Sequence, residues 1–386
     1  MLADLEHGQS SLLLRLLNQS GARAVLATDA PDLGLAEIKP YPFLAIVSQY
    51  EMRLALLLAI INPAIGGVLL IGPRGTGKTT AVRSLLDILP DIEVSDCEEG
   101  ALPADLMGEN ARLLYPDCYE RFHNGENISH YERVKLVELP LNARLEDVVG
   151  GINERVAAQG RIKLERGILA RADNNLLYID EVNLLDDQIV DAILDAAAQG
   201  SYSVRRGAMV GTYRARFNLI GSMNPEEGRL RPQILDRFGL RVNVRGLRDS
   251  QERLEVYQRV REYRQNPHAF VRSYAAETGA MAEDVLRARQ LLSQVILSQD
   301  ALRLGMALTE HLQIDSHRAE HTMFEAARAH AAADNRLEAT TWDIQVVAQM
   351  ALRQRQSEFM NHYFEQQANE DSTFTEALNK ILGTIP

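Results

Sequence analysis

Gly72-Pro73-Arg74-Gly75-Thr76-Gly77-Lys78-Thr79 decides how the rest of the chain is read. It fits G-x-x-x-x-G-K-[ST], the phosphate-binding P-loop. Its flanks agree. Gly67-Val68-Leu69-Leu70-Ile71 predicts a buried strand, and Thr80 to Leu89 predicts a helix with Val82, Leu85, Leu86 and Leu89 on one face. Each residue type has a physical reason. Gly75 and Gly77 let backbone N–H groups turn toward phosphates, and the helix N-terminus adds a favourable dipole. Lys78 reaches the β- and γ-phosphates, and the Thr79 hydroxyl can hold Mg²⁺. Gly72 to Thr80 is therefore the expected nucleotide cradle, with Thr80 opening the helix. A glycine-rich turn that binds nothing does not account for Lys78-Thr79.

The chain has 386 residues, 46% of them apolar, which allows one large or two ordinary domains with a packed core. A net charge of −12 argues against a general nucleic-acid binder. Cys97 and Cys118 are the only cysteines, which gives no disulfide framework and fits a reducing compartment. Two such ligands do not make a structural zinc site. The start, Met1-Leu2-Ala3-Asp4, lacks a basic leader region. Leu54 to Ile71 is apolar enough to suggest a membrane helix, but Asn62-Pro63 cuts it and Gly66-Gly67 follow. No membrane span is expected, and the cytoplasm is the expected location.

Taken in order, residues 1–38 are expected as an extension with no recognisable chemistry, and Ser10–Leu17 predicts a short amphipathic helix. An α/β P-loop domain is expected over 39–248, with a parallel sheet sandwiched between helices in three layers, and a separate all-α domain over 249–386. Ser48-Gln49-Tyr50-Glu51 predicts a capping box, with Ser48 as N-cap of a helix running toward Ile60. Residues 91–134 predict a surface insertion of low regularity. Lys135–Leu139 predicts a strand ended by Pro140. A helical piece is expected at Asn153–Ala158, and Leu164–Ala172 as helix again.

Leu176-Leu177-Tyr178-Ile179 followed by Asp180-Glu181 is the Walker B pattern, a buried strand ending in two carboxylates. Asp180 is placed to hold the Mg²⁺ shell and Glu181 to activate the attacking water. Strands often end in acids, so the pattern gains its weight from the P-loop before it. A helix over Leu184–Ala198 follows. Then comes a hairpin, Tyr202–Arg205 and Met209–Arg214, made basic by Arg205, Arg206, Arg214 and Arg216; a solvated face and a partner-contact loop are both open. Phe217–Gly221 predicts another buried strand. Asn224 at its tip is the candidate to touch the γ-phosphate or the water. Arg237 sits where a ring ATPase presents an arginine finger to its neighbour, a surface ion pair with Asp236 being the alternative. Leu240–Val244 is the last strand. Helices are expected at about 250–264, 282–298, 300–313, 319–334 and 341–355, with one or two short helices expected in the tail from about Arg355. Arg318 heads one of them, either as a group reaching the nucleotide or as an ordinary exposed Arg.

P-loop, Walker B, polar strand tip, Arg after Leu-Asp and helical lid together resemble an AAA+ ATPase. Ile46–Met52, Ile65–Leu69, Arg74–Lys78, Leu139–Leu141, Tyr178–Asp187, Asn224–Gly228 and Arg231–Gly239 resemble subunit I of magnesium chelatase. This covers the chain from about Tyr41 to the last helices. The resemblance implies a hexameric ATPase ring using ATP and Mg²⁺. The ring would work with subunits D and H to insert Mg²⁺ into protoporphyrin IX for (bacterio)chlorophyll synthesis, in the cytoplasm or in a plastid stroma. It implies that Asn224 is sensor 1, Arg237 the arginine finger and Arg318 sensor 2. It also implies that Val148–Lys163 and Ser203–Arg214 are the inserted helix and pre-sensor hairpin. Ser48, Asn142 and His317-Arg318-Ala319-Glu320 depart from the family pattern, and so does the N-terminal extension. Competing expectations are a MoxR- or cobalt-chelatase-like remodelling ATPase with another client, a nucleic-acid motor, which the negative charge opposes, and a non-hydrolysing regulator, which intact Lys78, Asp180, Glu181 and Arg237 oppose.

Overall fold

The computed structural model describes residues 39–97, 100–108, 110–152, 164–206 and 209–355. Residues 1–38, the expected helix at Asn153–Ala158 and the tail beyond Arg355 lie outside them. Helix α1 (Tyr50–Ile61) leads to β1 (Val68–Ile71), the P-loop and α2 (Lys78–Ser84). In the insertion, β2 (Ile92–Ser95) and β3 (Ser129–Glu132) pair antiparallel around α3 (Ala111–Leu114) and α4 (Pro116–His123). Then come β4 (Leu136–Leu139), α5 (Leu145–Val149), the antiparallel pair β5 (Gly150–Ile152) and β6 (Leu164–Arg166), and α6 (Ile168–Arg171). The strand β7 (Leu176–Ile179), α7 (Asp187–Gln199), the hairpin β8 (Ser201–Arg206) and β9 (Met209–Arg214), β10 (Asn218–Met223), α8 (Pro232–Arg237) and β11 (Leu240–Asn243) complete the first half. The second half holds α9 (Ser250–Gln265), α10 (Pro267–Ser273), α11 (Ala275–Leu292), α12 (Gln299–His311), α13 (His317–Ala333) and α14 (Thr341–Leu352).

The sheet is parallel, in the order β11-β1-β10-β7-β4. Its strands are apolar on both faces because both are covered. Val68, Leu70, Leu176, Tyr178, Ile220, Leu240 and Val242 join one core with α1 and α2. Leu69, Ile71, Leu177, Ile179 and Leu219 join the other with α7. The alternation follows the strand period of two, and each fully buried Leu or Ile contributes about 1.5–3 kcal/mol. Register sets the site. Ile71 lies opposite Met223, and Ile179 opposite Gly221, so β1 and β10 end level and the residues after β7 lie beside the end of β10.

The second half, expected as an all-α domain, packs onto the first through a shared core. Met281, Val285, Met323, Ala326 and Ala327 share one core with Leu54 to Ile61 of α1. The cause is α1 itself, which is buried from Met52 to Ile61. A helix apolar all round needs cover on the side away from the sheet. Polar ties fix the join. The Arg289 guanidinium donates to Ile60 O at 2.7 Å, and the Asn62 amide donates to Glu325 Oε2 at 2.7 Å. Past α14, Arg355 donates to Asp236 Oδ1 at 2.6 Å, and the Ser316 hydroxyl donates to the same carboxylate at 3.0 Å.

Other local expectations shift. α1 begins at Tyr50 with Gln49, not Ser48, as N-cap, and no side chain caps it. Ser48 and Gln49 both have positive φ, and the Ser48 hydroxyl donates to Glu252 Oε1 at 2.5 Å. Glu51 instead accepts from Arg353 at 2.6 Å. The P-loop helix starts at Lys78 and tightens to 3₁₀ over Leu85–Ile88. The insertion has its own small core, built on Cys97, Leu106, Cys118 and Ile128, rather than low regularity. Leu164–Arg166 is strand, not helix. Leu184 belongs to a 3₁₀ turn, and α7 starts behind its N-cap Asp186, whose side chain accepts from Gln188 N. The second-half helices start differently too: α10 opens at Pro267 behind its N-cap Asn266, and α11 opens at Ala275 rather than 282.

One buried network holds the helical half and gives a stability test. Asp343 is fully buried; it accepts from Arg336, from His330 Nδ1 at 2.6 Å and from Thr340 N at 2.7 Å. Burial alone would raise this carboxyl, but the hydrogen bonds from Arg336 and His330 win and hold it well below the usual range. A depressed carboxyl stabilises the fold above its unfolded value, near pH 4, and that stabilisation is lost as the pH falls further. Asp343→Ala should cost about 3 kcal/mol at neutral pH. Urea melts at pH 7 and in acid should show a gap from wild type that narrows in acid. Equal midpoints at pH 7 would rule the network out as a stabilising element.

Candidate functional site

Three strand tips deliver the site. β1 delivers the P-loop, β7 delivers Asp180 and Glu181, and β10, lying between them, delivers Ser222 and Asn224. Together Arg74 to Thr80, Asp180, Glu181, Ser222, Met223 and Asn224 line a cavity of about 320 Å³. Gly75 and Gly77 adopt φ of +77° and +85°, the conformation that turns their N–H groups inward, and Gly77 caps α2. Gly72 and Pro73 do not line this cavity. They act through their carbonyls, which accept from Lys78 Nζ at 2.7 and 2.8 Å. Burial pushes the Lys78 ammonium below the ordinary lysine range. A largely buried cation held by neutral carbonyls is a site for anionic oxygens.

The Walker B acids are held differently from one another. Asp180 Oδ1 accepts from the Tyr178 hydroxyl at 2.9 Å and from the Ser222 hydroxyl at 2.5 Å. Glu181 has φ of +53°, and its Oε1 lies 3.0 Å from both Nε and Nη2 of Arg74. Arg74 Nη2 also reaches Glu227 Oε1 at 2.6 Å. Arg74 is thus tied to the Glu181 carboxylate as well as lining the cradle. Asn224 is buried, and its Oδ1 accepts from Glu226 N at 3.3 Å, which leaves the amide NH₂ for the cavity. Thr79 and Asp180 both present oxygens. A hydroxyl and a carboxylate, completed by phosphate oxygens and water, suit Mg²⁺, a hard cation that keeps few protein ligands.

A second cavity, of about 1180 Å³, shares Gly75, Thr76, Gly77, Thr79 and Thr80 with the first. Its other walls include Tyr41, Ile46, Val47, Leu247, Val256 and Tyr263. An apolar, aromatic wall beside a phosphate cradle suits a heterocyclic base. Sequence reasoning did not assign these residues. A signal was available in part, since Ile46 and Val47 lie in the quoted run Ile46–Met52.

Arg237 and Arg318 lie elsewhere. Arg237 ends α8, and its Nη1 reaches Asp195 Oδ1 at 2.8 Å and Asp191 Oδ1 at 3.7 Å. Asp236 is not its partner, because that carboxylate serves Arg355 and Ser316. Asp187, Asp191 and Asp195 recur at i, i+4 and i+8 along α7, and the first two also hold Arg231. Arg318 is exposed at the head of α13 and does not line the phosphate cavity. In the hairpin, Arg214 turns inward to Asp105 at 2.8 Å and to the Tyr115 hydroxyl at 2.7 Å. The basic face is therefore smaller than the arginine count suggests.

This fold and site define a P-loop ATPase of the AAA+ class. An MCM P-loop domain matches residues 150–259 and an AAA lid domain matches residues 306–377. The chain is 42% identical to the magnesium-chelatase subunit ChlI homolog of Methanocaldococcus jannaschii, covering 86% of this chain and 93% of the relative. It is 41% identical to magnesium-chelatase subunit ChlI of Synechocystis, covering 82% and 88%. A chain from a cryo-EM complex of subunits BchI and BchD of magnesium chelatase is 40% identical, with a TM-score of 0.46, covering 82% of this chain and 96% of that one. The chain belongs to the family of magnesium-chelatase subunit I. Among the described residues no helix is long and apolar enough to cross a membrane.

Proposed function

We propose that this chain is the ATP-hydrolysing motor subunit of a magnesium chelatase. It would act as a homo-oligomeric ring, a hexamer, with subunits D and H, and drive Mg²⁺ insertion into protoporphyrin IX. The observation that carries the reading is the meeting of Lys78, Asp180, Glu181 and Asn224 at three adjoining strand tips, in a chain with close relatives of that name over most of its length. ATP is the nucleotide, with its phosphates on Gly75 to Thr80 and its base against Tyr41, Ile46 and Val47. Thr79 and Asp180 hold the Mg²⁺ that screens the phosphate charge. Glu181 takes the proton from the attacking water, and Asn224 orients that water or the γ-phosphate. Hydrolysis supplies the work because Mg²⁺, as substrate, gives up its hydration shell reluctantly. The cytoplasm or a plastid stroma is the proposed location.

The purified chain mixed with ATP, Mg²⁺, protoporphyrin IX and subunits D and H should give Mg-porphyrin fluorescence that depends on it. ATP hydrolysis without insertion would move the assignment to a MoxR- or cobalt-chelatase-like remodelling ATPase with another client. Lys78→Ala should weaken ATP binding about a hundredfold, since about 3 kcal/mol of charge-assisted bonding is lost. Titration with a fluorescent ATP analogue checks this, and wild-type affinity in the variant would remove Lys78 from the site.

A further inference from the structure

Two buried hydroxyls tie the P-loop to the Walker B acids. Tyr178 is 1% exposed, and its hydroxyl lies 3.1 Å from Thr79 Oγ1 and 2.9 Å from Asp180 Oδ1. Ser222 is fully buried; its hydroxyl donates to the same Asp180 oxygen at 2.5 Å and accepts the Glu181 N–H at 3.1 Å. Neither role is visible in the motifs, which count Tyr178 as an apolar strand residue and do not include Ser222.

Each hydroxyl has one proton, which fixes the direction of the chain. Asp180 is a carboxylate acceptor, so Tyr178 and Ser222 both donate to it. Tyr178 has then spent its proton, and Thr79 must donate to the Tyr178 oxygen. Ser222 likewise accepts from the Glu181 backbone. Two consequences follow. The Thr79 oxygen turns its lone pairs, not its proton, toward the cavity. Asp180 Oδ1 is occupied, leaving Oδ2 for the metal or its waters. At the other end, the bond to Ser222 holds the Glu181 backbone at φ +53°, a conformation that costs a non-glycine residue on the order of 1 kcal/mol.

We propose that Tyr178 and Ser222 are positioning residues for the ATPase reaction. Their hydroxyls set the oxygens of Thr79 and Asp180 for Mg²⁺ and fix the backbone from which Glu181 reaches the water. This rests on the nucleotide-binding reading above. Outer partners of metal ligands are commonly worth about 10–100-fold in metal affinity or activity.

The test compares wild type with Tyr178→Phe, Ser222→Ala and Ser222→Thr, using a fluorescent ATP analogue in EDTA and across a Mg²⁺ titration, then steady-state ATPase. Tyr178→Phe keeps the ring and loses the hydroxyl. It should match wild type in EDTA and need about tenfold more Mg²⁺ for the half-maximal change in binding signal. Ser222→Ala should lower kcat about tenfold at unchanged KM, and Ser222→Thr should recover most of it. A wild-type Mg²⁺ response in Tyr178→Phe, or equal losses in Ser222→Ala and Ser222→Thr, would overturn the assignment. So would weaker binding in EDTA, which would mark a packing role. If Tyr178→Phe does not fold, the Ser222 pair decides alone. A wild type that binds no nucleotide would overturn the functional reading itself, and this assignment with it.

Discussion

Glu181→Gln should bind ATP as tightly as wild type and hydrolyse it about a thousandfold more slowly, the middle of the range for loss of a positioned acid–base group. The substitution changes one oxygen to an NH₂ and leaves the shape alone. The hydrogen bonds that hold Lys78 and Asp180 do not involve this carboxylate: Lys78 donates to Gly72 and Pro73, and Asp180 accepts from Tyr178 and Ser222. Binding and hydrolysis should therefore separate. One altered contact is local, since Arg74 would face a neutral amide in place of a carboxylate while keeping its ion pair with Glu227. Single-turnover phosphate release beside equilibrium nucleotide binding checks both halves. A variant that hydrolyses ATP at the wild-type rate would end the assignment of Glu181 as base.

Much of this site was legible because its chemistry is local. The P-loop and Walker B acids each sit within a few residues of a buried strand, where residue type and backbone geometry are tied together. Asn224 was legible for the same reason, as the polar tip of β10. What was not legible depends on partners far along the chain. Tyr178 reads as one more apolar strand residue until β7, β10 and α2 are placed side by side, when its hydroxyl meets Thr79. The strand Leu164–Arg166 exists because it pairs with Gly150–Ile152, and its apolar spacing alone fits a helix equally well. Gly167 was the missed signal, since a Cβ there would lie 2.3 Å from Val148 O. The same holds for the insertion: β2 and β3 are joined by a long polar stretch, so composition hides their pairing. The apolar run before the P-loop carried a different message. It suggested a membrane helix, but the cover it needs comes from α11 and α13.

Arg237→Ala should leave nucleotide binding intact and lower ATPase about a thousandfold, the lower end of what an arginine finger supplies. The expectation follows from where Arg237 lies. It does not line the cavity of its own chain, so it cannot serve that cavity as placed, and α7 holds it at the molecular surface through Asp191 and Asp195. Those pairs are partly exposed and weak, so a neighbouring anion can compete for the guanidinium. A head-to-tail ring contact would present Arg237 to the next subunit's γ-phosphate. Mixing decides between a finger and a structural ion pair. Arg237→Ala supplies an intact Glu181, and Glu181→Gln supplies an intact Arg237. Mixed rings contain some sites with the base from one subunit and the finger from the other, so two nearly inactive proteins should recover activity when combined. Recovery would place Arg237 in the neighbour's site. A mixture as inactive as its parts, with rings still forming, would return Arg237 to the role of a surface partner for α7.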